Sequence, residues 1–265
     1  MTRSPPLRVN NDEPANWPQG VARHVLDRVD STNAEAFRLA PSLSGPAWIF
    51  AHRQEAGRGR RGRAWTDPPG NFAATLALRP EGGPADAARL SFVAALSVHD
   101  ALRDLCGPSL NVALKWPNDV LLNGGKLSGI LLESSGAAGQ VATLAIGIGI
   151  NLAAAPDPAQ VEPTATRPVS LLGETGLEVT PEDVLNALAC QFDAWHRQLR
   201  TFGFAPIRNA WMARAAKLGE TIVARTGATE TTGRFDGIDD TGALILTGPR
   251  GRHVIPAADI YFSGS

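Results

Sequence analysis

The stretch VALKWPNDVLLNGGKLSGILLE, residues 112–133, decides the fold of this chain. Two runs rich in branched apolar residues flank Asn123-Gly124-Gly125, and an Asn-Gly pair between such runs is a strong β-hairpin signal. Pro117 has no N–H group to give to a sheet, so it ends the strand at residues 112–116. The stretch therefore predicts three short strands, at 112–116, 120–122 and 126–133, in a largely antiparallel sheet.

On either side of this hairpin, apolar alternation and helical spacing predict further elements. We expect strands at residues 24–29, 47–52, 72–78 and 141–151. We expect helices from about Thr32 to just before Pro41, over residues 86–105, from Thr180-Pro181 onward, and over residues 206–216. Thr32 and Glu35 have capping-box spacing, which predicts that Thr32 caps the first helix.

Beyond residue 217 the pattern changes to short strands, at 221–225, 231–235, 243–246 and 253–255, between turns that contain Gly and Asp. This pattern is typical of a small SH3-like β-barrel. The predicted fold class is α+β, with a mixed, mostly antiparallel sheet flanked by helices and followed by this barrel. We expect a flexible tail at 1–20, a larger domain at 21–216 that carries the candidate catalytic motifs, and the barrel at 217–265.

Composition narrows the class of protein. Of the 265 residues, 43% are hydrophobic and 19% charged, which is enough apolar material for a core. The net charge of −1 gives no reason to expect binding to DNA or to a membrane surface. No apolar run approaches the ~18 residues of a membrane span, and the first 20 residues lack the apolar run of a signal peptide. Cys106 and Cys190 are predicted to be free thiols, and the sequence predicts a cytoplasmic protein.

Residues 57–63 read GRGRRGR, followed by Ala64 and Trp65. Each glycine would cost a helix about 1 kcal/mol relative to alanine, so we expect a mobile loop rather than a helix. Its backbone N–H groups and guanidinium groups can together bind a polyphosphate or an acyl phosphate. The alternative is a solvated basic loop or a localisation signal, and the loop alone does not choose between them.

The segment Lys115-Trp116-Pro117-Asn118-Asp119 is the second candidate for chemistry. Asn118 and Asp119 follow a strand end, where side chains are held firmly and face a cleft. Lys126 begins the strand after the turn, and its compact ammonium can follow a carboxylate and an α-phosphate through a reaction. The alternative is that Lys115 and Lys126 are surface lysines and that Asp119 is a turn residue.

Taken together, these motifs resemble those of the biotin protein ligases. The resemblance rests on GRGRRGR, on KWPND with KLSGILLE downstream, on Gly147-Ile148-Gly149-Ile150-Asn151 and on Asp30-Ser31-Thr32-Asn33, all in the family's order. Residues 218–261 resemble the family's small barrel. The resemblance implies a biotin–lipoate ligase core that uses ATP with Mg²⁺ to turn biotin into biotinyl-5′-AMP. It also implies transfer of the biotinyl group to a lysine of the carrier protein of a carboxylase, such as acetyl-CoA carboxylase.

The resemblance also implies roles for individual residues. As catalytic groups it implies Lys126, Arg60 and Asp119, with Asp119 orienting the incoming lysine. As biotin-binding residues it implies Ser31, Thr32, Asn33, Gln54, Arg58, Gly59, Arg60, Lys126, Gly129 and Gly149. As adenylate-binding residues it implies Arg58, Arg60, Arg61, Trp65, Lys126, Asn118 and Asn151. The metal ligands stay unassigned.

Some alternatives within and outside the family stay open. Ala64 stands where some relatives carry a basic residue, which is a minor departure. About 23 residues precede the predicted core, and they are Pro-rich, so we expect the short class without a DNA-binding arm. A lipoate- or octanoyl-transferring relative, a repressor and a non-catalytic biotin-binding protein are the competing interpretations. The sequence is compatible with a monomer or a homodimer.

Overall fold

The computed structural model describes residues 14–157, 166–226 and 229–262. Seven strands form the larger sheet: β1 (Ala22–Leu26), β2 (Ala47–Ala51), β3 (Phe72–Leu78), β4 (Val112–Lys115), β5 (Asp119–Leu122), β6 (Gly125–Ser135) and β7 (Thr143–Ile150). Their order across the sheet is β1-β2-β3-β7-β6-β5-β4. Only the β1–β2 pair among these is parallel, so the predicted mixed, mostly antiparallel sheet is confirmed.

The hairpin that opened the sequence analysis lies at one edge of this sheet. Asn123 and Gly124 have φ angles of 51° and 81°, the left-handed values that a two-residue hairpin turn with right-handed twist requires. The strands β4, β5 and β6 follow one another as antiparallel neighbours. A bulge between Val120 and Leu121 shifts the register of β5 against β6.

The two faces of the sheet carry different side chains because successive residues of a strand point in opposite directions. One face presents large apolar residues such as Trp48, Phe50 and Phe72. They pack with the helices α2 (Pro84–Cys106), α4 (Pro181–Phe202) and α5 (Phe204–Met212) in the main core. The other face presents small residues, among them Ala47 and Ala77, against α1 (Thr32–Leu39). On the middle strands this second face is built largely from alanines and glycines, with Ile49 among its few larger side chains, so it has room for a cavity.

Helix termini follow the expected chemistry, with one correction. Thr180 caps α4, and its side chain accepts a hydrogen bond from the Asp183 N–H. The expectation that Thr32 caps α1 is wrong. Ser31 is the cap and its Oγ accepts from the Ala34 N–H, while Thr32 is the first helical residue. The short helix α3 (Leu171–Thr175), capped by Ser170, was not predicted.

The C-terminal strands form a second, five-stranded antiparallel sheet. Its strands are β8 (Thr221–Thr226), β9 (Thr229–Ile238), β10 (Leu244–Gly248), β11 (Gly251–Ile255) and β12 (Asp259–Phe262), in the order β11-β10-β9-β8-β12. Four of them were predicted, whereas β12 was not. It pairs with β8, with Asp259 opposite Arg225. The linker before this sheet is tied to the larger sheet, because Leu114 exchanges backbone hydrogen bonds with Arg214 and Ala216 at 2.8 Å each.

Neither cysteine forms a disulfide: Cys106 and Cys190 are free thiols, and both are partly exposed. Within the described ranges, every helix is too short or too polar to cross a membrane. The predicted tail at 1–20 lies mostly outside these ranges.

Candidate active site

One row of cross-strand neighbours runs across the small-residue face of the sheet. In register, Ala73 on β3 pairs with Gly149 on β7, Gly149 with Gly129 on β6, Gly129 with Asp119 on β5, and Asp119 with Lys115 on β4. Neighbouring strands lie about 4.8 Å apart, so the row spans roughly 19 Å. The row changes from small uncharged residues at one end to charged residues at the other. An extended ligand with one uncharged end and one charged end can therefore lie along it.

Lys126 and Asp119 form the central ion pair of this face. The Lys126 Nζ lies 2.7 Å from Asp119 Oδ1, and both side chains are partly exposed to the cavity described below. Asn118 is fixed beside them, since its Nδ2 donates to the Ile130 carbonyl at 2.6 Å. An ammonium group and a carboxylate at this distance can orient one another and can each take a substrate group of opposite charge.

The Gly/Arg loop folds back on itself next to this pair. The Trp65 N–H donates to the Gly57 carbonyl at 2.9 Å, and the Gly59 N–H donates to the Arg63 carbonyl at 2.7 Å. Gly57 leaves no space for a side chain, because a Cβ there would lie 2.8 Å from the Trp65 carbonyl oxygen. The segment is thus a compact loop with a short 3₁₀ turn at Arg60–Gly62. As predicted, it does not form an α-helix.

Three arginines of the loop converge on one carboxylate of the C-terminal sheet, that of Asp259. Arg61 forms a very short ion pair with it, Arg63 lies 3.3 Å away and Arg60 lies 3.8 Å away. Arg60 also donates to Asn118 Oδ1 at 3.4 Å, which ties the loop to the residue next to Asp119. Burial lowers the pKa of Arg60, while Asp259 and Asp119 oppose that shift. Arginine keeps its charge through such shifts, so Arg60 is a partly buried, fixed cation.

A polar cluster at the N-terminus of α1 forms the opposite end of the face. Gln54 Oε1 accepts from the Thr32 N–H at 2.9 Å and from the Thr32 hydroxyl at 3.1 Å. Thr75 Oγ1 lies 2.6 Å from Asn33 Oδ1, and Asn33 Nδ2 donates to Glu133 Oε2 at 2.8 Å. Thr32, Asn33 and Thr75 are buried, and these bonds hold the cluster in one arrangement, which is the requirement for recognising a small polar head group.

Trp65 lies flat against the glycines in the middle of the face. A Cβ at Gly149 would lie 2.5 to 2.7 Å from three atoms of the indole ring, and a Cβ at Gly129 would lie 3.1 Å from it. The Lys126 Nζ lies 5.9 Å from the ring centroid, within cation–π range. The indole Nε1 is buried and has no hydrogen-bond partner among the described residues. The glycines at 129 and 149 are therefore needed for the close approach of this side chain.

These groups surround one cavity of about 470 Å³. Five cationic side chains line it against two carboxylates, so it suits an anionic ligand; they are Arg58, Arg60, Arg63, Lys115 and Lys126 against Asp119 and Asp259. The predicted residues that line it are Ser31, Thr32, Asn33, Gln54, Arg58, Gly59, Arg60, Trp65, Asn118, Asp119, Lys126, Gly129, Gly149 and Asn151. Arg61 alone among the predicted site residues does not, and its guanidinium is directed to Asp259 instead. A contact between Arg61 and a nucleotide would need the loop to rearrange.

Several residues of the site escaped the sequence reasoning. Lys115 is not a surface lysine but a buried one that lines the cavity. Asp259 and Tyr261 reach the cavity from β12, about 100 residues beyond the nearest sequence motif, with no local signal. Thr75 had one available signal, since it is the single hydroxyl in the apolar strand FAATLAL.

No preformed metal cage is present in the parts of the chain that the structure describes, where no three His, Cys, Asp or Glu side chains cluster closely enough to hold an ion. The two carboxylates of the cavity are already paired with cationic groups. Mg²⁺ usually keeps several waters and binds through substrate phosphates with one or two carboxylates. The cavity can therefore offer a metal ion at most one or two carboxylate ligands, those of Asp119 and Asp259.

Two family models match the chain. Residues 25–151 match the biotin/lipoate A/B protein ligase family, and residues 217–263 match the biotin protein ligase C-terminal domain. A biotin–[acetyl-CoA-carboxylase] ligase of Paracoccus denitrificans is 64% identical over 240 residues, which cover 91% of this chain and all of the relative. The bifunctional ligase/repressor BirA of Escherichia coli is 36% identical over 84% of this chain and 68% of its own length.

Solved structures of biotin protein ligases also have folds similar to that of this chain. A biotin protein ligase from Aquifex aeolicus, in complex with biotin and ATP, has 26% identity and a TM-score of 0.75, with 90% of this chain and 97% of that chain covered. A biotin protein ligase from Leishmania major, in complex with biotinyl-5-AMP, has 25% identity and a TM-score of 0.62, with 91% of this chain and all of that chain covered. The predicted α+β fold with its small C-terminal barrel is confirmed.

Proposed function

Because this chain belongs to the biotin protein ligase family, we propose that it activates biotin with ATP and transfers the biotinyl group to a lysine of a carboxylase carrier protein. The observation that carries this proposal is the single cavity that joins the polar cluster around Thr32 and Asn33 to the cationic groups around Lys126. The first is suited to an uncharged polar ring and the second to a carboxylate and phosphates. One molecule of biotinyl-AMP needs both.

In the first half-reaction the biotin carboxylate attacks the α-phosphate of ATP and pyrophosphate leaves. Two anions must approach each other, so fixed cations lower the barrier, each by roughly 2.7–4 kcal/mol in comparable sites. We assign Lys126 to bridge the carboxylate and the α-phosphate, since it already lies in the centre of the face beside Asp119. Arg58 and Arg60 hold the phosphate side of the adenylate, with Mg²⁺ entering as the Mg-ATP complex.

The biotin ring is assigned to the polar end of the face. Ser31, Thr32, Asn33 and Gln54 offer hydroxyl and amide groups to the ureido head, and Gly129 and Gly149 allow the chain of biotin to lie against the sheet. Trp65, Asn118 and Asn151 are assigned to the adenine and ribose side. For biotin to occupy the middle of the row, the Trp65 indole moves off the two glycines and covers the ligand.

In the second half-reaction the carrier lysine attacks the mixed anhydride and AMP leaves. The lysine must be neutral to attack, and Asp119 is assigned to orient it and to help remove its proton. The Gly/Arg loop closes over the adenylate and keeps water away from it. Residues 21–216 are proposed as the catalytic domain, and the barrel of 217–265 contributes Asp259 to hold the loop arginines.

The deciding experiment is mass spectrometry of a purified carrier domain after incubation with this protein, biotin and Mg-ATP. A gain of one biotinyl group on one lysine is the expected result, and parallel incubations with lipoate and without ATP are the controls. Labelling with lipoate instead of biotin, or biotin binding without transfer, would overturn the proposal in favour of a lipoate ligase or a non-catalytic binder.

Three further parts of the proposal concern partners and location. We propose that the protein works in the cytoplasm and binds neither DNA nor a membrane. A gel-shift assay at moderate salt with biotin-regulated promoter DNA tests the absence of DNA binding. The proposed oligomeric state is a monomer or a homodimer. Sedimentation with and without biotin and ATP distinguishes the two.

A further inference from the structure

Lys115 is a buried lysine without a carboxylate partner. It is 6% exposed, and among the described residues no carboxylate lies within 4 Å of its Nζ. Its Nζ donates a hydrogen bond to Thr166 Oγ1 at 2.6 Å and lies over the Phe262 ring, 4.9 Å from the ring centroid. Taking an ammonium group out of water without an anionic partner is costly. Such a group is retained where an anion binds beside it.

The position of Lys115 in the sheet indicates which anion binds beside it. It ends the row of cross-strand neighbours, one strand beyond Asp119 and two strands beyond Gly129. Strand spacing places it about 10 Å from Gly129, which lies in the middle of the row. Lys126 on β6 is assigned to the α-phosphate, so a group beyond it, toward β4 and the C-terminal sheet, meets the part of ATP beyond the α-phosphate.

The surroundings of Lys115 favour a polyanion. Burial lowers its pKa and Lys126 acts in the same direction, whereas Asp119 and Asp259 raise it. Both of these carboxylates are already paired, with Lys126 and with the loop arginines respectively. Two of the three N–H donors of the ammonium are not used by Thr166, so they are available to phosphate oxygens.

Resting on the proposed function, we infer that Lys115 binds the β- and γ-phosphates of ATP and stabilises pyrophosphate as it leaves. In that step a P–O bond forms between the biotin carboxylate and the α-phosphorus. The bond from the α-phosphorus to the bridging oxygen breaks, and its electron pair leaves with pyrophosphate. Lys115 donates N–H groups to the charge that develops there and keeps its proton throughout. Thr166 is a positioning residue that holds the ammonium in place.

The two half-reactions separate this role from a structural one. Lys115→Met keeps a buried unbranched stem and removes the ammonium, with its charge and its hydrogen bond to Thr166. Since no carboxylate of the described residues pairs with Lys115, the change leaves no buried charge without its partner. We expect its rate of biotin-dependent pyrophosphate–ATP exchange to fall about 10²–10³-fold, as for loss of one preorganised donor. We expect its KM for pyrophosphate to rise at least about tenfold. Single-turnover transfer from supplied biotinyl-AMP to the carrier should stay at the wild-type rate, because pyrophosphate takes no part in it.

The matched control is Lys217→Met, which removes the same charge from an exposed lysine that pairs with Glu220 and should leave both half-reactions unchanged. Exchange at the wild-type rate in Lys115→Met would overturn the inference, and so would an equal loss of exchange and transfer. Thr166→Val is the second variant, in case Lys115→Met does not fold. It should raise the KM for pyrophosphate but not that for biotin, and an unchanged KM for pyrophosphate would contradict the inference. If the wild-type protein catalysed no biotin-dependent exchange, the proposed function itself would fail.

Discussion

Gly147 is the position where one added methyl group should weaken biotin binding most clearly. A Cβ there would lie 2.3 Å from Asn33 Oδ1 and 3.0 Å from Asn33 Cγ, far inside van der Waals contact. The backbone of Gly147 is not in the left-handed region, so alanine is compatible with the strand itself. The Asn33 amide, which is buried, must therefore turn away from its place in Gly147→Ala.

The size of the effect follows from the hydrogen bonds that the turn breaks. Asn33 has one to Thr75 at 2.6 Å and one to Glu133 at 2.8 Å. At about 1 kcal/mol each, their loss lowers the free energy of unfolding by about 2 kcal/mol. The displaced amide also takes one hydrogen bond away from the biotin head group, which costs about 1 kcal/mol of binding, or about fivefold in the biotin dissociation constant. Replacing a strand glycine by alanine raises the free energy of unfolding by about 0.5–1 kcal/mol. The net loss of stability is then about 1 kcal/mol, or roughly 2–4 °C in Tm.

Isothermal titration with biotin and thermal unfolding measure both quantities. Ile146→Val is the matched control: this neighbouring residue is fully buried on the opposite face, so the variant should lose about 0.5–1.5 kcal/mol of stability and keep its biotin affinity. A double-mutant cycle with Asn33→Ala identifies the cause, because Gly147→Ala should cost little once the clashing amide is gone. Strict additivity of the two changes, or biotin binding by Gly147→Ala at wild-type strength, would refute the reasoning.

Three further predictions concern catalysis and pH. Lys126→Ala should lower biotinyl-AMP formation about 10²–10³-fold, since it removes the central cation, while the circular dichroism spectrum stays that of the wild type; normal pyrophosphate release would contradict the assignment. Arg60→Gly should let the adenylate escape, which mass spectrometry would detect as biotin on lysines of a bystander protein, and labelling confined to the carrier would show that the loop does not retain it. His196 should destabilise the protein in acid: burial lowers its pKa below the ordinary 6.5, so the unfolded chain binds a proton first and stability is lost as pH falls below that value. The fall in Tm between about pH 7.5 and about pH 5.5 should be smaller in His196→Gln, and an unchanged fall would exclude His196 as a cause.

Local rules predicted most elements of secondary structure but not how they end. The apolar run of β3 was predicted to the residue, since an isolated strand bounded by polar residues leaves little choice. The cap of α1 was assigned to Thr32 rather than Ser31, because two adjacent hydroxyl residues satisfy the same rule and only the backbone angle of the first one selects it. The strand β12 was missed because four residues, Asp259–Phe262, carry little pattern without their partner β8.

The sequence by itself determined the chemistry of the protein. The Gly/Arg loop, the hairpin after Lys115 and the motif around Asn33 specified which groups are present and, through their order, which family they resemble. Tertiary structure alone decided how these groups work together. It placed Gly149, Gly129, Asp119 and Lys115 in one row, because register across strands depends on hydrogen bonds between segments far apart in the chain. It also buried Lys115 and brought Asp259 to the loop arginines, since burial and long-range charge pairing depend on packing between sheets, which no local pattern encodes.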